Sequence, residues 1–309
     1  MQATLCSSIT FDGVGLHSGA AVRMTVHPAP ANHGIWFHRT DVVDGDAKIA
    51  ARWDLVEISP LCTQIVNGAG VAVSTIEHIM AALAGCGVHN ARIDIDGPEV
   101  PILDGSAVPF VRGILGVGLR SQSSRVRAVE ILETVEVETP SGWARLSPSA
   151  GDQGFEMAFE IEFADAAIGR QSKRLNLANG TFVRELSDSR TFCRASDVDA
   201  MRAAGKALGG TLDNAVVVDG DKVLSPSGLR HADEAVRHKM LDALGDLALA
   251  GAPILGLYEG HKAGHAMTNM LLRALFARPG AWRLVTCDRA TSARLPGAGV
   301  VRDEIPAVA

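Results

Sequence analysis

Residues 236–251 read VRHKMLDALGDLALAG, an apolar helical run in which His238, Asp242 and Asp246 recur every four positions. At 3.6 residues per turn this spacing lines the three up on one stripe, each about a turn from the next. A second stripe, Leu241, Leu244, Leu247 and Ala248, is the face that seeks the core. The polar stripe borders it, so it must either meet solvent or line a pocket. Alone, an H-x-x-x-D pattern favours the solvated face; a pocket wall needs partners from elsewhere in the chain.

Other stretches offer such partners. In STIEHIMAALAG (74–85), Glu77 and His78 stand at a helix start, with Ile76, Ile79, Met80 and Leu83 sharing an apolar face. Ser74-x-x-Glu77 also has the form of a capping box, which would tie the glutamate to the Ser74 backbone N–H. If His78 joins His238 and Asp242, the set is two histidines and one carboxylate with a fourth position open to water. That is the pattern of catalytic zinc, and Glu77 beside it can take a proton from the attacking water. GHKAGHAMTN (260–269) places His261 and His265 in a glycine-bounded turn that opens a helix. They read either as another ligand pair or, for His265 oriented by Asp246, as the acid for a leaving group, and the second is preferred. Thr191, in SDSRTFCRASD (187–197), has a hydroxyl suited to a developing oxyanion, though a loop threonine more often only shapes a turn. GVGLHSG (13–19) lacks the Walker lysine and the G-x-G-x-x-G spacing, and reads as a hairpin turn with His17 toward the site.

The surrounding pattern is globular. A chain of 309 residues predicts two domains. Alternation in ARIDID (91–96) and FEMAFEIEF (155–163) predicts half-buried strands, and a helix is expected to close at Pro279-Gly280. RSQSSRVR (120–127) is the polar junction, and LPGAGVVRDEIPAVA (295–309) reads as a loose tail. A net charge of −6 gives no electrostatic reason to expect nucleic acid or an anionic membrane surface as partner. Five scattered cysteines without C-x-x-C spacing indicate neither a disulfide framework nor a cysteine zinc site, and fit the reduced cytoplasm. With no leader and no span-length apolar run, a soluble, unprocessed protein is expected.

Together the motifs resemble a known family. GVGLHSG, PLCTQIVN, STIEHIMAALAG, PEVPILDGSAVPFV, SRTF, LDNAVVVD, RHKMLDALGDL and GHKAGH occur in the order and approximate spacing of the UDP-3-O-acyl-N-acetylglucosamine deacetylases, zinc amidases that commit Gram-negative bacteria to lipid A synthesis. The resemblance implies that His78, His238 and Asp242 bind Zn2+ while Glu77 acts as general base. It implies that Thr191 shares the oxyanion with the metal and that His265, held by Asp246, protonates the departing amine. Lys239 would meet the diphosphate of a nucleotide-sugar lipid substrate, Lys262 would be a second anion contact, and Phe192 a wall of the sugar site.

The implied fold is α+β, a two-domain β-α-α-β sandwich. Each domain is a mostly antiparallel sheet with helices packed on one face, and the active site lies between the domains. The halves would be 1–124 and 125–309, with an inserted βαβ unit around 194–219 forming a passage for the acyl chain. The same ligand set suits Fe2+. A monomer without stable membrane insertion is expected. Three positions depart from the family pattern: Cys193-Arg194 after SRTF where Gly-Phe is common, Ala235 in place of a phenylalanine, and Gly142 in place of a basic residue.

Overall fold

The alternation in ARIDID builds the strand Ala91–Ile95, with Ala91, Ile93 and Ile95 buried and Arg92 exposed. In the computed structural model, which describes residues 1–59, 61–151 and 154–307, this strand is the centre of a five-stranded sheet. The order is Ile9–Val14, Ala21–Pro28, Ala91–Ile95, Ile35–Arg39, Lys48–Ala50, antiparallel except where Ile35–Arg39 runs parallel to Ala91–Ile95. A seven-stranded sheet forms from the later residues, with Ile254–His261 at its middle. That strand pairs antiparallel with Gly142–Ser147 and parallel with Arg127–Ile131 and Phe155–Glu162. Phe155, Met157, Phe159 and Ile161 point into the core and the intervening glutamates point away.

Among the described residues the helices are α1 (Glu77–Gly85), α2 (Val108–Val117), α3 (Thr181–Glu185), α4 (Ala195–Ala203), α5 (Glu234–Ala248), α6 (His265–Phe276) and α7 (Arg289–Ser292). One apolar cluster runs from Phe37 and Ile93 of the first sheet, through Ile79 and Leu83 of α1 and Leu241 and Leu244 of α5, to Phe155 and Met157 of the second. The chain is thus layered sheet, helix, helix, sheet, as the α+β expectation has it. Phe192–Arg194, α4 and Val216–Asp219 form a βαβ unit whose strands are parallel, with Lys222–Val223 at its edge.

The helix α1 differs from the single buried face that its periodicity predicts, because Glu77 through Leu83 are all buried. It lies against α5 so closely that a Cβ on Gly245 would sit 2.0 Å from the Glu77 carbonyl oxygen. Only glycine permits that crossing. The capping box is not formed either: the Ser74 N–H donates to the Pro98 carbonyl, and Thr75, at φ +58°, turns the chain before the helix begins. Glu77 is released for another use. The tail is also not loose. Gly297 packs on Gly87, Glu304 pairs with Arg184 at 2.7 Å, and the Pro306 carbonyl accepts from Arg112, while residues 308–309 lie outside the described residues.

The loop 187–191 is pinned to the start of α5 by a buried ion pair. Arg190 Nε donates to Glu234 Oε1 at 2.9 Å, its remaining nitrogens reach Ser227 and the Gly228 carbonyl, and both charged side chains are almost fully buried. Removing one partner would strand the other charge in the core. We expect Arg190→Met to destabilise the fold by about 3–5 kcal/mol, seen as a lowered Tm; an unchanged Tm would contradict the buried pair.

Candidate active site

The polar stripe of α5 does not face water. His238, Asp242 and Asp246 are 3%, 5% and 3% exposed, so the solvated-face reading fails and the stripe lines an interior site. The glycine crossing sets the first turn of α1 beside it, and His78 arrives from there: His78 Nε2 lies 3.6 Å and His238 Nε2 3.3 Å from the same oxygen, Asp242 Oδ1. The two imidazoles meet edge-on, with centroids 5.1 Å apart and planes at 85°. One ligand atom from each of the three residues lies within 4.8 Å of the others.

Three observations fit this group to a divalent cation. Asp242 Oδ1 is buried and accepts no hydrogen bond from the described residues, an orphaned acceptor between two imidazole nitrogens. The Ser189 carbonyl lies 3.0 Å from His238 Nδ1; a carbonyl can only accept, so Nδ1 carries the hydrogen and Nε2 offers its lone pair. Burial holds the His238 pKa down at about 4, which keeps the ring neutral as a ligand must be. Burial opposes ionisation of Asp242 as well, but His238 and Lys239 outweigh it and hold the carboxyl well below the usual range.

Glu77 and His265 stand beside this group, with His265 Nε2 3.9 Å from Asp242 Oδ2. Burial raises the Glu77 pKa, bringing the carboxylate nearer to the range useful to a general base. Its Oε1 is 4.0 Å from His265 Nε2, and its Oε2 accepts the Thr63 N–H at 3.0 Å. His265 opens α6 and donates from Nδ1 to Asp246 Oδ2 at 2.9 Å. Burial alone would lower its pKa, but Asp246, Glu77 and Asp242 together lift it to about 9, so the ring is a proton donor at neutral pH. The histidine pair of GHKAGH therefore separates. His261 turns away to stack on Trp143 and pair with Glu160, which removes the second-ligand-pair reading.

The remaining candidates have partners of their own. Phe192 packs edge-on against His238, with centroids 6.2 Å apart. Thr191 is held by its main chain between the Gly105 and Val216 backbones. Lys239 donates to Asp242 Oδ2 at 3.0 Å, and Lys262 pairs with Glu162 at 2.5 Å. His17, in the expected hairpin turn, is buried with neither ring nitrogen bonded among the described residues, and His265 is one of the charges that lower its pKa, after burial. Gly142 has a steric origin: a Cβ there would lie 2.2 Å from the His261 carbonyl oxygen, so a basic residue would require the strands to separate. Two residues that work on the site were missed in the sequence, Ser189 and Thr63. Both act across long sequence separations, and the only trace was their place within the SRTF and PLCTQIVN motifs.

A buried two-histidine, one-carboxylate group with a carboxylate and an oriented histidine beside it is the arrangement of a metal-dependent hydrolase. A family model described as UDP-3-O-acyl N-acetylglycosamine deacetylase matches residues 2–277. A protein of Phenylobacterium zucineum named UDP-3-O-acyl-N-acetylglucosamine deacetylase is 50% identical over 285 residues, 92% of this chain and 96% of its own. One of the same name from Shewanella oneidensis is 44% identical over 306 residues, 97% of this chain and 98% of its own. The chain belongs to the UDP-3-O-acyl N-acetylglycosamine deacetylase family. No helix among the described residues is long and apolar enough to cross a membrane.

Proposed function

We propose that this protein hydrolyses the N-acetyl group of UDP-3-O-(3-hydroxyacyl)-N-acetylglucosamine, giving the free amine and acetate, with Zn2+ held by His78, His238 and Asp242. The observation that carries the reading is the orphaned Asp242 Oδ1, set between two imidazole nitrogens, while His265 Nε2 stands 3.9 Å from the other oxygen of that carboxylate and 4.0 Å from Glu77 Oε1. When bound, the cation supplies Lewis-acid polarisation of the substrate carbonyl. Glu77 takes the proton from the attacking water as the new C–O bond forms. His265 Nε2 then gives its proton to the amide nitrogen as the C–N bond breaks, and Asp246 keeps that ring oriented through Nδ1. Thr191 is assigned to the oxyanion, and Phe192 to the wall of the sugar site.

The lysines serve the diphosphate in this reading. Lys239 donates to Asp242 Oδ2, and with that carboxylate given over to holding a cation its ammonium would be available to an anion. Lys262 exchanges Glu162 for phosphate at smaller cost, since that pair is more exposed. We place the division between the halves near residue 124, the acyl passage at the βαβ unit, and the monomeric protein in the cytoplasm. Fe2+ suits the same ligands. A binding protein without turnover would have no use for the acid and base, so it is the weaker reading.

The test is acetate release by purified protein. Activity is expected to fall to background after treatment with a strong chelator and to return on adding zinc. Full turnover by protein shown to be metal-free would overturn the metal assignment.

A further inference from the structure

Thr63 bonds Glu77 directly and reaches His265 through Asp246. It precedes the strand Gln64–Val66, and no catalytic chemistry attaches to its side chain in the reading above. Its N–H donates to Glu77 Oε2 at 3.0 Å, and its carbonyl accepts from the Ile76 N–H, one residue before the base. Its hydroxyl donates to Asp246 Oδ1 at 2.5 Å. Asp246 passes the constraint on, since its other oxygen accepts from His265 Nδ1. The residue is 3% exposed, so these bonds have no competition from bulk water.

We propose that Thr63 is a positioning residue: its main chain aims the Glu77 carboxylate, and its hydroxyl locks the Asp246 rotamer that orients His265. The proposal rests on the deacetylase reading. A carboxylate on a single-bonded stem can swivel, and a swivelled Asp246 would carry His265 Nε2 out of line with the scissile nitrogen. Thr63 Oγ1 fixes one oxygen and leaves the other for the imidazole. Because Thr63 belongs to the segment before α1 and Asp246 to α5, the bond also sets the acid in register with the base. The bland alternative is that the hydroxyl only satisfies a buried oxygen.

These roles predict different results. Thr63→Val keeps the β-branch and the N–H but loses the hydroxyl. The expected result is a kcat about 10- to 100-fold lower with KM and metal content unchanged, and recovery of most turnover in Thr63→Ser. In a double-mutant cycle, Thr63→Val added to Asp246→Asn should cost little further, because the hydroxyl acts through that carboxylate. Should Thr63→Val fail to fold, Thr63→Ser against Thr63→Ala gives the same comparison, both lacking the methyl and differing in the hydroxyl. A lowered Tm with kcat intact, or losses that multiply in the double variant, would overturn the proposal. A wild-type protein that releases no acetate would instead overturn the reading beneath it.

Discussion

Glu77→Gln is expected to lose acetate release by about 10²- to 10⁴-fold while the metal bound per chain stays at the wild-type level. The glutamine is nearly isosteric, and its carbonyl oxygen can still accept the Thr63 N–H, so the first turn of α1 keeps its anchor. What disappears is the basic oxygen that faces His265. Glu77 is not among the three residues that converge as a possible metal group, so loading and turnover should separate. Near-normal turnover by the variant would sink the base assignment, and loss of both metal and turnover would show that the carboxylate serves the cage.

Gly245→Ala should strike the same centre from outside it. The added methyl carbon would approach the Glu77 carbonyl to 2.0 Å, and a main-chain oxygen cannot swing away as a flexible side chain can. Relief requires α1 and α5 to separate, which moves His78 relative to His238 and Asp242. Overpacking of this kind costs about 1–3 kcal/mol or more in stability. The larger expected effect is on metal affinity, because ligand atoms 3.3 and 3.6 Å from a shared oxygen tolerate little displacement. Metal titration followed by a competing chromophoric chelator checks this. An alanine variant with wild-type affinity would mean that the helix crossing has slack which the close approach conceals.

The extent to which the sequence foretells this arrangement follows the range of the interactions. Strands whose two faces see different surroundings, such as Ala91–Ile95 and Phe155–Glu162, announce themselves by alternation. The polar stripe on α5 is equally legible as a stripe. Its burial is not, since a helix covered on nearly every side lacks the contrast on which periodicity depends. Ser74-x-x-Glu77 shows the opposite failure, a sound local pattern overruled by tertiary demand: the Ser74 N–H goes to Pro98 and Glu77 to Thr63. Thr63 and Asp246 are 183 positions apart, and no window along the chain could have paired them. The motif resemblance joined His78 to His238 and Asp242, which spacing alone left open.

His78 is carried by one helix, His238 and Asp242 by its neighbour, so a cation seated among them would rivet the two layers together. By linkage, whatever the rivet adds to the cohesion of that seam, prising the seam apart must subtract from the grip on the ion. A stripped protein should therefore open along this line more readily than the loaded one, the amides of the two helices trading hydrogen for deuterium sooner than they do with the ion in place.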